Sequence, residues 1–420
     1  MNQRWSIDPR ARLRGLLLFL AVMGPGIITA NVDNDAGGIT TYSLAGAHFG
    51  YVFLWTFAPL ALALIVVQEM CARMGVVTGK GLADLIREQF GVRVAFTVMV
   101  LLIAANLGNI MAEFAGVAAS FQIFGVNKYL SIPVVAFAVW RLVVKGTYRV
   151  VEKVFLFACV VYVAYIISGF MARPPWGEVL RSTVVPTLRW NPAFLSMMIG
   201  VVGTTIAPWM QFYQQAAVVD KGISPEQYHA SRLDTILGMI TAVIVVFFIT
   251  VACAATLHVH GVHISDAADA AQALAPLAGR YAGTLFAIGL LNASVFAASI
   301  LPLSTAYSVC ESFGWETGVD RRFMEAPQFF GLYTFLIAVG AGVILLPHFP
   351  LLKIMFFSQV ANGMLLPVIL IVMLRLINNR QLMGGYVNSR FFNGVAWVTT
   401  GVMIALTVAL VVVEIAGWGV

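Results

Sequence analysis

The stretch Asn31-Val-Asp-Asn-Asp-Ala-Gly-Gly-Ile39 interrupts an apolar run that is long enough to cross a bilayer. A second interruption, Gly203-Thr-Thr-Ile-Ala-Pro-Trp209, lies in another such run. Unpaired backbone groups are costly in hydrocarbon, so broken helices persist in membranes only where protein or a cavity surrounds them. A pair of broken helices in corresponding halves of a chain indicates the substrate site of a transporter. The carboxylates of Asp33 and Asp35 at the first break predict that the substrate is a cation.

The composition is that of a polytopic membrane protein. Of the 420 residues, 60% are hydrophobic and 10% are charged, whereas soluble domains carry about 25% charged residues. This leaves little room for a soluble enzyme or receptor domain, and the sequence has no HExxH, P-loop or nucleophile-elbow motif. The net charge of +6 is attributed to membrane topology, so we expect a lipid bilayer and no nucleic acid as partner. No resident cofactor is expected. Packing roles are predicted for the four cysteines, which are Cys71, Cys159, Cys253 and Cys310.

The apolar runs predict eleven membrane-spanning helices. In that arrangement most of the 25 Lys and Arg residues fall on the cytoplasmic side, with residues 1–12 as a cytoplasmic N-terminus. The C-terminus then lies outside. The predicted spans are 13–46, 51–74, 94–123, 129–147, 154–172, 193–219, 233–257, 280–312, 328–347, 350–376 and 391–416.

The positions of the breaks, in the first and sixth spans, predict an inverted repeat. We expect an all-α transporter domain over residues 1–420, with a first repeat at 13–172 and a second at 193–376. Five spans is an odd number, so the second repeat enters the membrane with the opposite orientation. The span at 391–416 is an extra helix. We expect the protein to be a monomer in the plasma membrane.

Several motifs resemble the natural-resistance-associated macrophage proteins (Nramp), which move divalent metals on the LeuT-type fold. Gly24-Pro-Gly26 and Ala45-Gly-Ala47 flank the first break as in that family. Residues 72–87 are close to the end of the family's second helix and the loop after it. The shorter matches Ala112-Glu113 and Ser358-Gln359 also fit. The resemblance implies a divalent metal ion as the transported substrate.

The metal-binding positions of the family are only partly kept. Aligned on the motif after the first break, Asp35 matches the family's metal-binding Asp, whereas Gly38 replaces its Asn. Ala207 replaces the metal-binding Met, and Thr204 stands where an alanine carbonyl binds metal in the family. Because a thioether gives nothing to Mg²⁺, its loss leaves a wider, oxygen-only site that suits a partly hydrated ion. The pattern resembles the Nramp-related magnesium transporters and favours import of Mg²⁺, with Mn²⁺ also accepted.

The residues linked to proton movement in the family are also changed. Trp209 replaces a His, and Ile110 replaces an Asp three residues before Glu113. Proton coupling needs titratable groups along a buried path, so these losses favour alternating access without obligatory proton coupling. Glu113 remains as a group that can carry a proton.

Other candidate residues each have a structural alternative. Asp33 and Asn34 contact the ion or its waters, or they cap the following half-helix. Gln359 binds metal through its amide oxygen, or it forms a hydrogen bond between helices. Gln211 and Gln215 share one helical face, which is directed either to an aqueous path or to a neighbouring helix.

Two further groups of charged residues are expected to be structural. Glu69 precedes Arg73 by four residues, the spacing of a salt bridge on one helical face. A predicted outside loop could trap a metal ion at the entrance, although a solvated loop is favoured. Its candidate ligands are His258, His260, His263, Asp266 and Asp269.

Two rival hypotheses stay open. A proton-coupled Mn²⁺/Fe²⁺ importer is supported by the wider family resemblance and by Glu113. A LeuT-fold symporter for an organic substrate is disfavoured, because acids at the break would repel the carboxylate of an amino acid. Cd²⁺ separates the first rival from the magnesium hypothesis, since a soft-metal site should transport it and an oxygen-only site should not.

Overall fold

A computed structural model describes residues 24–145, 163–262, 264, 267–271, 279 and 282–415. All the regular elements in these residues are helical. The principal helices are α1 (Pro25–Val32), α2 (Ala36–Phe49), α3 (Phe57–Thr78), α4 (Leu82–Phe90), α5 (Val92–Ile123), α6 (Lys128–Lys145), α7 (Val163–Met171), α8 (Trp176–Val184), α9 (Pro192–Thr205), α10 (Pro208–Asp220), α11 (Tyr228–Cys253), α12 (Ala282–Phe313), α13 (Pro327–Ile344), α14 (Leu351–Ile377) and α15 (Arg390–Ile415).

Eight helical segments of the described residues are long and apolar enough to cross a membrane. Each coincides with a predicted span. They are Leu54–Thr78, Val92–Ile123, Pro192–Asp220, Pro225–His258, Ala282–Phe313, Pro327–Ile344, Leu351–Ile377 and Arg390–Val412. The three other predicted spans, which are 13–46, 129–147 and 154–172, lie partly outside the described residues, so the total of eleven stays a prediction.

Both predicted helix breaks are present and are shorter than the sequence indicated. The first comprises Asp33–Asp35, between α1 and α2, and the second comprises Ile206 and Ala207, between α9 and α10. Pro208 is the first residue of α10, a position where its missing N–H group costs no hydrogen bond. Each break therefore ends one half-helix and begins another.

Two amphipathic helices lie between predicted spans, in stretches for which the sequence predicted no helix. Helix α4 follows the second predicted span and buries Leu82, Leu85 and Ile86 while Arg87 and Asp84 form an ion pair at 3.0 Å. Helix α8 follows the fifth predicted span. Both have only nine residues, too few to register as membrane spans.

Three cysteines, Cys71, Cys253 and Cys310, are buried and free, as predicted. Cys159 lies outside the described residues. The predicted salt bridge between Glu69 and Arg73 is confirmed, with 3.1 Å between Oε2 and Nη2.

The helices pack in two groups that meet at the first break. Helices α1, α3 and α10 pack together with α11, whereas α5 packs against α12 and α14. Helix α2 contacts both α11 and α14. The residues between α1 and α2 consequently lie at the boundary between the two groups.

Asp234 on α11 fixes the beginning of α1. Its carboxylate accepts hydrogen bonds from the backbone N–H groups of Gly24 at 3.2 Å and Gly26 at 2.7 Å. The first N–H groups of a helix have no partner within the helix, and the helix dipole favours an anion there. One turn later, the Thr29 hydroxyl donates to Gln214 Oε1 at 2.7 Å. These contacts hold the first half-helix against α10 and α11.

Replacing Asp234 with Ala should lower the free energy of unfolding by about 2 kcal/mol, because two buried N–H groups lose a charged acceptor. Thermal unfolding of the detergent-purified protein measures the effect. Leu237→Ala, on the same helix with 49% of its side chain exposed, is the control. Equal unfolding temperatures for Asp234→Ala and the wild-type protein would contradict this role.

Candidate metal site

The two breaks meet around Gly38, where three oxygen atoms approach the position that a side chain would occupy. A Cβ atom on Gly38 would lie 2.8 Å from the Asp33 carbonyl oxygen, 3.1 Å from Thr204 Oγ1 and 3.2 Å from Asp35 Oδ1, so only glycine fits here without a shift of these neighbours. Asp33, Asp35 and Thr204 are each at most 3% exposed. Oxygen atoms from both breaks therefore converge on one point inside the protein.

Asp35 caps helix α2. Its backbone is extended, and its Oδ1 accepts a hydrogen bond from the N–H of Gly38 at 2.6 Å. The positive end of the helix dipole stabilises the carboxylate at this position. Since the same Oδ1 is one of the three oxygen atoms at Gly38, capping and metal contact are compatible roles for this side chain.

Two buried oxygen atoms at the breaks have no hydrogen-bond partner within the protein. They are Oδ1 of Asp33 and Oγ1 of Thr204. Buried polar atoms without a partner are uncommon in native proteins, so these two are candidates to contact a water or an ion. Asn34, between the two aspartates, is fully buried as well.

The backbone carbonyls at the second break divide into two kinds. Thr204 lies in the last turn of α9, where carbonyl groups have no partner within the helix. The Ala207 carbonyl instead accepts a hydrogen bond from the backbone N–H of Met210 at 3.0 Å, and the side-chain amide of Gln211 lies 2.7 Å from it. An ion at this carbonyl would compete with these contacts. Metal binding by Ala207 stays a prediction, as it does for Thr204.

Glu113 on α5 lies next to the first break. Its Oε2 accepts a hydrogen bond from the N–H of Ala36 at 3.2 Å, and its Oε1 is buried without a partner. The carboxyl group is also close enough to Asp35 for the two groups to interact electrostatically. The structure thus brings the carboxyl groups of Asp35 and Glu113 together.

Gln359 on α14 reaches the first break with its nitrogen and not with its oxygen. A Cβ atom on Gly37 would overlap Gln359 Nε2, so this nitrogen faces the first turn of α2. Gln359 Oε1 accepts a hydrogen bond from Asn362 at 2.9 Å and points away from the break. In this arrangement the nitrogen faces the break, and metal binding through the amide oxygen stays a prediction.

The other predicted pathway residues are buried and contact neighbouring groups. Trp209 is 1% exposed, and its carbonyl accepts from the Ser304 hydroxyl at 3.1 Å. The side-chain amide of Gln211 lies 2.6 Å from the Pro208 carbonyl, and Gln215 donates to the Lys80 carbonyl at 2.8 Å. These contacts are local, and whether the shared face of the two glutamines is directed to an aqueous path or to a neighbouring helix stays a prediction.

The described histidines of the predicted outside loop do not form a metal site. His258 Nδ1 bonds the Ala47 carbonyl at 2.9 Å, and His260 Nδ1 bonds the Thr256 carbonyl at 2.5 Å. His263 and Asp266 lie outside the described residues, and Asp269 lies in a short helix, Ala267–Ala271. No group of three or more His, Cys, Asp or Glu side chains that could hold a metal occurs in the described part of the chain.

Sequence reasoning missed several residues that border the site. The Tyr42 hydroxyl and Thr205 Oγ1 lie 2.8 Å apart and join the two broken helices. Asn109 and Asn362 bond to each other across α5 and α14. A usable signal was present, because buried polar side chains in an otherwise apolar span usually serve a function.

A family model and several known proteins are similar to this chain. A family model described as natural resistance-associated macrophage protein-like matches residues 26–413. The divalent metal cation transporter MntH of Klebsiella pneumoniae is 27% identical, and the similarity covers 95% of each chain. The MntH protein of Ralstonia nicotianae is 30% identical over 98% of this chain and 95% of its own.

Two solved structures share the fold. The manganese transporter of Eremococcus coleocola, in complex with an aromatic bis-isothiourea substituted compound, has a TM-score of 0.75 at 20% identity and covers 98% of this chain and 88% of its own. Mhp1, a nucleobase-cation-symport-1 family transporter solved in a closed conformation, has a TM-score of 0.59 at 18% identity and covers 93% and 91%. The family match over nearly the whole chain shows that this protein belongs to the Nramp family of divalent metal transporters.

Proposed function

We propose that this transporter carries Mn²⁺ through a site at Gly38. The observation that carries the proposal is the convergence of the Asp33 carbonyl, Thr204 Oγ1 and Asp35 Oδ1 on that point. Carboxylate, carbonyl and hydroxyl oxygens are suitable ligands for Mn²⁺. The ion completes its coordination with water or with further carbonyls of the last turn of α9.

Mn²⁺ as substrate is compatible with both the oxygen donors and the family relationship. The relatives are described as divalent metal cation transporters, and one structural neighbour as a manganese transporter. They favour the Mn²⁺ alternative over the magnesium hypothesis that the sequence suggested. The oxygen donors accept Mn²⁺ without a thioether, so the loss of the methionine at Ala207 is compatible with this substrate.

We also propose that Glu113 carries a proton during transport. Its unpartnered Oε1 and its electrostatic interaction with Asp35 support this role. Two neighbouring carboxylates repel each other when both are ionised, and a cation between them removes that repulsion. Metal binding and proton release at this pair are therefore coupled.

Mg²⁺ transport without proton coupling is the second candidate. The favouring observation is that Ala207 and Gly38 remove two side chains from the family's ligand set and leave oxygen atoms. Mg²⁺ gives up its waters reluctantly, so a wider site with one or two carboxylates suits it.

The proposed membrane arrangement keeps the expectations from the sequence. It has eleven spans in a monomer, a first repeat at 13–172, an inverted repeat at 193–376 and an extra helix at 391–416. The N-terminus is cytoplasmic and the C-terminus lies outside the plasma membrane, following the distribution of Lys and Arg.

Uptake into proteoliposomes tests the proposed substrate and coupling together. Mn²⁺ uptake should acidify the vesicle interior, and Glu113→Gln, which cannot bind and release a proton, should abolish the acidification. A metal-sensitive dye and a pH dye inside the same vesicles measure both. Uptake of Mg²⁺ with no change of internal pH, and no uptake of Mn²⁺, would contradict the proposal and support the second candidate.

Replacing Asp35 with Ala should reduce Mn²⁺ uptake at least about tenfold, which corresponds to about 1.4 kcal/mol of lost binding free energy. The variant should still fold, since it loses a buried charge together with a cap. Glu316→Ala, at a solvent-exposed carboxylate, is the matched control. Undiminished uptake by Asp35→Ala would exclude this aspartate from the metal site.

Ala207→Met should raise the transport of Cd²⁺ relative to Mn²⁺, because it restores a soft thioether ligand at the second break. Competition between the two ions for uptake gives the ratio. Ala207→Leu adds similar bulk without sulfur and should leave the ratio unchanged. If both variants change it equally, side-chain volume and not ligand chemistry sets the preference.

A further inference from the structure

A chain of three side-chain amides leads from the first break into the interface between α14 and α5. Asn362 Nδ2 donates to Gln359 Oε1 at 2.9 Å. Asn109 and Asn362 form a reciprocal pair, in which the Nδ2 of each donates to the Oδ1 of the other, at 2.9 Å and 3.0 Å. All three side chains are at most 1% exposed.

The end of this chain that faces the break is the amide nitrogen of Gln359. It lies against the Cα of Gly37 in the first turn of α2 and 3.4 Å from Ser358 Oγ. The Ser358 hydroxyl donates to the Met355 carbonyl at 3.0 Å and so accepts from Gln359. The orientation of Gln359 is therefore set by Asn362 on one side and Ser358 on the other.

The three amides have a second arrangement with the same hydrogen bonds among them. If the oxygen and nitrogen of all three exchange places at once, Asn362 Oδ1 accepts from both Gln359 Nε2 and Asn109 Nδ2. Asn362 Nδ2 still donates to Asn109 Oδ1. If Gln359 turned alone, its nitrogen would face the Asn362 nitrogen. If either asparagine turned alone, oxygen would face oxygen and nitrogen would face nitrogen across the pair. Both outcomes are costly in a buried site. The three amides consequently change together, and Gln359 then presents its oxygen to the break.

We propose that Asn109 and Asn362 are positioning residues that let Gln359 exchange its amide nitrogen for its oxygen when a metal ion binds. This inference rests on the proposed function, since it requires a cation at the break. An amide oxygen is a ligand for hard cations, whereas an amide N–H group can only donate hydrogen bonds. The ion binds the oxygen-forward arrangement better and so selects it.

Asn106 provides a matched control on the same helix. It lies one turn before Asn109, is fully buried, and donates to Thr305 Oγ1 on α12 at 2.8 Å. Its bond also joins two helices through a buried amide. Asn106 forms its hydrogen bond with Thr305 and not with Gln359, so its loss removes a similar structural contact and leaves the three-amide chain intact.

The test is a double-mutant cycle on Mn²⁺ affinity, measured by calorimetry on the purified full chain. Asn362→Leu should weaken Mn²⁺ binding about tenfold, a typical effect for a residue that orients a ligand. In a Gln359→Ala background the same substitution should have no further effect, because the residue it orients is gone. Asn106→Leu should leave the affinity unchanged. Should Asn362→Leu fail to fold, Asn109→Leu should show the same dependence on Gln359.

Two results would overturn the proposal that Asn109 and Asn362 control the orientation of Gln359. Equal weakening by Asn362→Leu in both backgrounds would show that Asn362 acts on the fold and not through Gln359. Unchanged affinity in the wild-type background would show that the orientation of Gln359 does not matter. A wild-type protein that binds neither Mn²⁺ nor Mg²⁺ would instead refute the proposed function, and with it the proposed exchange at Gln359.

Discussion

The structure around the site depends on one constraint: backbone groups freed by the two helix breaks need partners in a region without bulk water. At the beginnings of the half-helices, carboxylates meet this need, Asp234 at α1 and Asp35 at α2. At their ends, carbonyl oxygens remain, including those of Asp33 and Thr204. The N–H groups therefore have carboxylate partners, whereas oxygen atoms around Gly38 stay available. A cation is a suitable partner for these oxygen atoms.

The predicted ligand set around Gly38 differs from that of the family by the loss of two side chains. By the sequence resemblance, Gly38 and Ala207 stand where the family has an amide and a thioether, and the donors that the resemblance leaves are oxygen atoms. Hard or borderline ions such as Mn²⁺ and Mg²⁺ both accept such donors, and they differ chiefly in how readily they lose water. Substrate choice here is thus a question of hydration and space. The described relatives favour Mn²⁺.

The sequence predicted what is local and missed what depends on distant contacts. Polar residues inside apolar runs located both breaks and Asp35. The pairing of Asn109 with Asn362 joins residues 253 positions apart, and no local pattern predicts it. The occupied Ala207 carbonyl and the inward nitrogen of Gln359 likewise follow from tertiary packing. Helices α4 and α8 were missed for a different reason, since their nine residues are too few to form a membrane span.

Anomalous diffraction from crystals of the full chain grown with Mn²⁺ would locate the ion directly. If Gly38 marks the site, the manganese peak should lie among Asp35 Oδ1, Thr204 Oγ1 and the Asp33 carbonyl oxygen, with Gln359 Oε1 turned toward it. A peak at another place in the protein, with no ion at Gly38, would contradict the metal site described here.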